Sequence, residues 1–404
     1  MKKNLVKMNF LLLIFMIIYT IFGLVMILSA SSVAAVLRYD VAPNFFFMKQ
    51  LLFSSIAYVL GIIILFIPTK SRIYRYLYKF FMYGIIALLV LLFFSGIVVG
   101  GAQSWYDFGV AKFQPTEFAK LAIILYFAYY YYQLSKKKEI TFINMIWPII
   151  ISAVVFVLVA LQPDLGGAMI ILIITGLIFF GLPIGKEQKR KVYKIVGIGL
   201  VILGLSVLLL GKSLLKSYQL NRIINYQNPC QRYTDESGYQ VCNGYIAIDN
   251  GGLFGVGPGK SVQKYMYLPA SHTDFIFPIV VEELGTIVGV VIILAYMFLI
   301  GLVFKVALNT KNLQNSIICY GIGIYFMLHI FVNLGGVLGI IPLTGVPLPF
   351  LSYGGSFCIT IICSFAIVQR IHIENEIERH KNAWYLVFFV LLSYCLIRCI
   401  FMYD

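Results

Sequence analysis

Between Leu253 and Gly285 a glycine-rich turn passes through Lys260 and Lys264 to the polar cluster Ser271-His272-Thr273-Asp274. It then enters an apolar run carrying Glu282 and Glu283. His272 and Asp274 form a compact titratable group of the kind that accepts or relays a proton. A carboxylate where a chain enters lipid is costly, so by default it marks function. A plainer reading stands beside this one. Ser271, Thr273 and Asp274 are all good helix N-caps, and Pro278 falls in or near a first turn, where it costs little. Glu282 and Glu283 lie about two turns into the following helix and cannot both face lipid cheaply. At least one must point into protein or a wet cavity.

Three other stretches carry candidate chemistry. Glu117 and Lys120 are three apart, so they share a helix face and can pair. Alternatively, Lys120 presents a cation to an anionic ligand near the outer surface. Trp105 and Tyr106, just upstream, suit either an interfacial aromatic belt or the face of a sugar. Asp164 sits in the tight link Gln162-Pro163-Asp164 and either caps the next helix or lines a cavity shared with Asp274. The stretch from Leu334 to Ser356 holds Pro342, Pro347, Pro349 and several glycines, and Ser352 lies near its end. Irregular backbone at membrane depth is tolerated only when buried in protein or lining a cavity, which predicts a re-entrant segment. No P-loop, nucleophile elbow, dinucleotide fingerprint or zinc signature is present.

The elements that must position these residues are membrane helices. The chain has 404 residues, 61% of them hydrophobic and 12% charged, with a mean hydropathy of +0.93. A soluble protein would carry about 25% charge. Continuous apolar runs near spanning length recur throughout, which predicts an all-α polytopic membrane protein rather than an alternating β-barrel. Ten helices are expected near 9–29, 47–67, 80–99, 115–134, 145–161, 165–184, 195–211, 275–304, 317–337 and 355–371. The net charge of +15 does not point to nucleic acid. Its lysines and arginines cluster at alternate helix ends, all on one side of the ten-helix arrangement, which predicts that this side is cytoplasmic. The long segment from about 212 to 274 then lies outside. Cys230 and Cys242 bracket a polar stretch of it, where spacing leaves a disulfide open. The apolar run after the basic Met1-Lys2-Lys3 start is too long for a signal-peptide core and is expected to be a retained first helix. Trp384 to Tyr403 is a further apolar run, either an eleventh helix or an interfacial segment.

The pieces FQPTEFAK, QPDLG, NGGLFGVGPGKS, YLPASHTDFIFPIVVEELG and GIIPLTGVPLPFLSYGGS occur in this order within about Met8 to Arg370. Together they resemble the SEDS family (shape, elongation, division and sporulation), the membrane peptidoglycan glycosyltransferases that include FtsW and RodA. The GPGKSVQKYMYLP wording and the long polar loop look more like the division branch than the elongation branch. The resemblance implies a SEDS-type transmembrane domain over 1–371, with a large extracellular loop between helices 7 and 8, followed by a separate segment over 372–404. It implies polymerisation of lipid II at the outer face of the bacterial cytoplasmic membrane, at the division septum. Asp274, in the HTDFIF motif, matches the family's essential carboxylate and is the expected general base. Lys120 is the first candidate to stabilise the pyrophosphate leaving group, with Lys260 and Lys264 behind it. Trp105, Glu117, Asp164, His272 and Ser352 are expected to contact or frame the substrate. A divalent cation, Mg or Mn, could bridge pyrophosphate to a carboxylate, although no ligand set is evident. The implied partners are a class B penicillin-binding transpeptidase and other divisome proteins. Where the family commonly has Pro-Glu before HTD, this chain has Pro269-Ala270-Ser271. Competing readings are a lipid II flippase, an elongation-type polymerase and a scaffold for a transpeptidase.

Overall fold

The computed structural model describes residues 8–69, 71–109, 111–137, 141–183, 189–194 and 228–401, except 234, 235 and 270, with isolated positions between 197 and 226. For 72, 73, 75, 77 and 380–401 only the backbone is described. The expected seventh helix, 195–211, lies outside the described residues.

The apolar runs form α1 (Phe10–Tyr39), α2 (Phe45–Phe66), α3 (Arg72–Ser95), α4 (Pro115–Leu134), α5 (Phe142–Leu161) and α6 (Leu165–Gly181). They continue with α7 (Glu236–Gly251), the short α8 (Ile276–Leu284), α9 (Thr286–Leu308), α10 (Leu313–Val337) and α11 (Gly355–Phe401). Many of these helices keep large apolar side chains exposed on one side, such as Phe10, Ile21, Phe94 and Leu294. Such a girdle suits lipid contact rather than water. The chain is a multi-pass membrane protein. α4 is the centre of the bundle, packed against α3, α5, α6, α10 and α11.

Four features differ from the sequence expectation or resolve what it left open. Between α3 and α4 the chain makes a small antiparallel sheet of β1 (Ile97–Val99), β2 (Ala102–Asp107) and β3 (Lys112–Phe113). The backbone N–H of Gln103 donates to the Gln162 carbonyl, 3.1 Å, which docks the sheet on the link between α5 and α6. The polar loop is also partly ordered. A 3₁₀ turn over Pro229–Arg232 leads to α7, and Cys230 and Cys242 form a disulfide, Cα–Cα 5.0 Å. The expected helix 275–304 is broken at Gly285 into α8 and α9. Finally, the last apolar run does not start a new helix but continues α11, which is 47 residues long.

The break at Gly285 explains the glycine-rich turn. A helix end leaves backbone N–H and C=O groups without partners. Here Val256 and Gly257 N–H donate to the Glu282 and Glu283 carbonyls at 2.9 and 3.0 Å. Thr286 and Ile287 N–H, opening α9, donate to the carbonyls of Gly252 and Leu253. The approach is so close that a Cβ on Gly255 would lie 2.3 Å from the Glu283 oxygen, and one on Gly285 (φ +88°) 2.2 Å from the Leu253 oxygen. The turn therefore splints a broken helix.

At the basic end, Glu374 gathers three elements. Its carboxylate accepts from Thr69 N–H at 2.8 Å, from the Thr69 hydroxyl, from Asn315 Nδ2 at 3.1 Å and from Arg370 Nε at 3.1 Å. This ties the α2–α3 turn and α10 to α11.

Candidate active site

Asp274 begins the turn into α8, but it does not cap that helix. The N-cap is Phe275, which makes no side-chain cap bond. The backbone around Asp274 is instead pinned from outside. The carbonyls of three successive residues each accept from a different donor: His272 from Tyr353 N–H at 2.9 Å, Thr273 from Ser352 Oγ at 2.7 Å, and Asp274 from Asn333 Nδ2 at 2.9 Å. Ser271 Oγ adds a bond to the Ala30 carbonyl, 3.0 Å. The next residues, Phe275 to Glu283, are all buried, whereas Asp274 is only partly buried. The backbone that carries this carboxylate is thereby held in place.

The pinning residues come from the re-entrant segment and from α10. Residues 338–354 have no regular structure, and 348–352 within them are buried, with Leu348, Leu351 and Ser352 inside. They fit the expected re-entrant form. Ser352 Oγ also accepts from Leu348 N–H at 2.8 Å, and Asn333 Nδ2 donates a second bond to the Val346 carbonyl at 2.8 Å. The segment lies so close to α1 that a Cβ on Gly23 would stand 2.1 Å from the Phe350 oxygen.

One helical turn before Asn333, His329 meets the Glu117–Lys120 pair. Lys120 Nζ lies 2.7 Å from Glu117 Oε1 and 3.0 Å from His329 Nε2. The Tyr325 hydroxyl donates to Glu117 Oε2 at 3.4 Å. His329 Nδ1 faces the Pro347 carbonyl at 3.3 Å. A carbonyl only accepts and an ammonium only donates, so Nδ1 carries the proton and Nε2 offers its lone pair. His329 is thus neutral in this arrangement. All four side chains are buried, Lys120 to 1% exposure. Lys120 does not stand at a surface, as a cation offered to ligand would. It is a member of an enclosed network that reaches the re-entrant segment through Pro347.

Asp164 accepts from Gly167 N–H at 2.8 Å, so it caps α6. It also accepts from Gln114 Nε2 at 3.4 Å, and Gln114 N–H donates to Ser356 Oγ at 3.0 Å. The stretch 346–356 is therefore the hub on which Asp274, His272, the Glu117–Lys120 pair and Asp164 converge. Trp105 does not join it but sits half-buried in β2, paired with Ile97.

The loop cations divide. Lys264 is buried, and its three donors are used by Glu283 Oε1 at 3.0 Å, the Gly259 carbonyl at 2.6 Å and Ser29 Oγ at 3.3 Å. It cannot also serve a substrate without breaking an ion pair. Glu282 is likewise engaged, accepting from the Ser261 hydroxyl, Val262 N–H and Asn250 Nδ2. Both glutamates hold the loop rather than line a catalytic face. Lys260 is exposed, and among the described residues it has no acidic partner. His272 is buried against Phe46 and Tyr353, ring centroids 4.5 and 5.7 Å away. Burial first, then the nearby Arg38 guanidinium, lower its pKa to about 4, which leaves the ring neutral at physiological pH.

Sequence reasoning missed His329, Asn333 and Arg38. The first two are spaced by four on an otherwise apolar helix, which was the available signal. Arg38 donates to the Pro269 carbonyl at 3.4 Å from the end of α1. Among the described residues no three His, Cys, Asp or Glu side chains gather as a metal set.

Comparison with known proteins places this geometry. The cell cycle protein family of FtsW, RodA and SpoVE matches residues 9–377. A Bacillus subtilis (strain 168) protein described as a probable peptidoglycan glycosyltransferase FtsW is 38% identical over 387 residues, 95% of this chain and 94% of its own. Stage V sporulation protein E of the same organism is 35% identical, over 90% of this chain and 96% of its own. A solved chain from a peptidoglycan synthase complex that coordinates polymerization and crosslinking superposes with a TM-score of 0.70. It is 25% identical, covering 91% of this chain and 98% of that one. The Thermus thermophilus rod shape determining protein RodA gives 0.63 at 25% identity, over 91% and 97%. The chain belongs to the FtsW, RodA and SpoVE family.

Proposed function

We propose that this family member polymerises lipid II into glycan strands for division-type cell-wall synthesis, with Asp274 as the general base. The observation that carries the reading is the pinning of three successive carbonyls at 272–274. A general base must sit within hydrogen-bond reach of the proton it removes, and geometry precedes pKa in that requirement. Holding a reactant to within a fraction of an ångström is worth orders of magnitude in rate. The names of the curated relatives support the activity, and the superposed synthase complex supports a crosslinking partner.

In this reading Asp274 takes the proton of the 4-hydroxyl of the acceptor GlcNAc as that oxygen attacks C1 of the donor MurNAc. The bond from C1 to the pyrophosphate oxygen breaks, undecaprenyl pyrophosphate leaves with the electron pair, and the anomeric centre inverts. Charge grows on the leaving pyrophosphate, where preorganised cations lower the barrier. Arg38, exposed and beside His272, and the exposed Lys260 are the candidate cations. Lys120 acts on the same site indirectly, by fixing His329 and through it the Pro347 carbonyl. Ser352 and Asn333 are positioning residues, and Asp164 shapes the end of α6. The reading places the polar-loop face outside the cell, the chain at the division septum, and a class B penicillin-binding transpeptidase beside it.

The test gives the purified full chain with its transpeptidase partner labelled lipid II and resolves the glycan products by size, for wild type and Asp274→Asn. Polymer from wild type and none from the variant is expected. Polymer from the variant at the wild-type rate sinks the general-base assignment. Movement of lipid II across vesicles without polymer from any preparation sinks the polymerase reading in favour of a flippase.

A further inference from the structure

At the opposite, basic end of the bundle a cavity of about 340 Å³ lies between α3, α4 and the start of α5. Its lining includes Lys79, Lys137, Tyr78, Tyr126, Tyr129 and Trp147, and no carboxylate. Tyr78 and Tyr129 stack, with ring centroids 3.7 Å apart and planes at 25°, so the aromatic wall is preformed. Lys79 and Lys137 are exposed at the rim, and among the described residues neither has an acidic partner. Their neighbour Lys136 is different, because its ammonium lies 4.0 Å over the Tyr132 ring. Two ammoniums that line one aromatic cavity, without an acidic partner among the described residues, suit an anion.

The surroundings say what carries the anion. The lining residues Tyr83 and Trp147 are partly exposed, and the adjacent Phe80 and Ile143 are 75% and 68% exposed. The mouth therefore borders the apolar belt rather than open water. Tyr and Trp gather at headgroup depth in membranes, and basic pockets between transmembrane helices take acidic lipid headgroups. The volume falls within the range of small-molecule sites and admits a phosphate and a glycerol unit.

We propose that this cavity binds the headgroup of an anionic phospholipid, with the phosphodiester between Lys79 and Lys137 and the headgroup against the tyrosine wall. The site lines the second half of α4, from Tyr126 onward, whereas Glu117 and Lys120 lie in its first two turns, and it shares no residue with the Asp274 hub. It does not depend on the chemistry proposed there.

The experiment uses the full chain in nanodiscs of phosphatidylcholine doped with phosphatidylglycerol. Bound lipid is counted by native mass spectrometry after release into mild detergent. An exposed lysine near an acidic lipid is worth roughly fivefold in binding. The double variant Lys79→Gln/Lys137→Gln should therefore retain about thirtyfold less phosphatidylglycerol, with phosphatidylcholine unchanged, and Lys136→Gln should retain the wild-type amount. Equal retention by the double variant overturns the proposal, and so does an equal loss in Lys136→Gln, which would mean diffuse attraction to the basic surface. Displacement of the lipid by millimolar inorganic phosphate or pyrophosphate also overturns it, assigning the cavity to a soluble anion.

Discussion

Asn333→Leu removes one of the three donors that hold the carbonyls at 272–274 while keeping the side chain's approximate shape. The Asn333 amide is buried to 3% exposure and gives its Nδ2 protons to the carbonyls of Asp274 and Val346, at 2.9 and 2.8 Å. Stranding a buried acceptor costs about 1–3 kcal/mol, so two cost roughly 2–6 kcal/mol. Against this, Asn333 Oδ1 has no partner in its buried site, and its removal returns about 1–3 kcal/mol. The net of about 1–3 kcal/mol falls on the segment that carries Asp274. At about 1.4 kcal/mol per factor of ten, kcat for lipid II polymerisation should fall by roughly 5- to 140-fold. KM should stay within about twofold, because the lost bonds position the base and do not grip the substrate. The shape of the pH–rate profile should not change, since the base itself is untouched. The assay is the initial rate of glycan formation across a series of lipid II concentrations, with a monodisperse, folded preparation as the control. A kcat within twofold of wild type would show that the pinning of Asp274 is not what positions it.

Three further outcomes follow from buried contacts. Lys264→Met should lower the unfolding free energy by about 3–5 kcal/mol, because it strands the Glu283 carboxylate. Adding Glu283→Leu should recover part of that loss in the same denaturation measurement, and no recovery would contradict the pairing. Gly23→Ala should cost activity and thermal stability by pushing its Cβ into the Phe350 carbonyl, whereas Gly301→Ala, with open space around it, should be neutral in both assays. His272, held neutral with a pKa near 4 against 6.5 when unfolded, makes the unfolded chain bind more protons between those values. Its contribution is constant above about pH 6.5 and turns destabilising as pH falls toward 4. Melting temperatures of His272→Phe and wild type should therefore diverge in that window, with the variant less sensitive to acid. Parallel curves would exclude the effect.

Much of the frame was legible because the bilayer imposes it. Runs of spanning length and basic clusters at alternate ends located most of the helices, and the prolines around Pro347 announced irregular backbone. The break at Gly285 was hidden because the apolar run from Phe275 to Phe304 would have read the same in one continuous helix. Only the splinting turn, remote by some thirty residues, stabilises two ends there. The sheet at 97–113 was hidden because its strands are two to six residues long. For the candidate site, residue type identified Asp274, Glu117 and Lys120 but not their relation. His329 and Asn333 relate them, and each looked like a lone polar residue in α10. The opposite fates of Lys260 and Lys264, one exposed and one enclosed, are set by tertiary contact with Glu283 and could not be told from four residues of spacing.

The central position of α4 has a consequence for biogenesis. Fifteen of its 20 residues are buried, among them Glu117, Lys120, Tyr126 and Tyr131. It is absent from the described helices that are long and apolar enough to cross a membrane on their own. A charged residue in a membrane-inserting helix is costly, and α4 brings Glu117 and Lys120 within its first two turns, while their partner His329 is made some two hundred residues later. The helix around which the molecule is built is thus poorly suited to enter the bilayer unaided. It must be held by α3 and α5 as they emerge from the ribosome, and its polar network closes only once α10 has been synthesised.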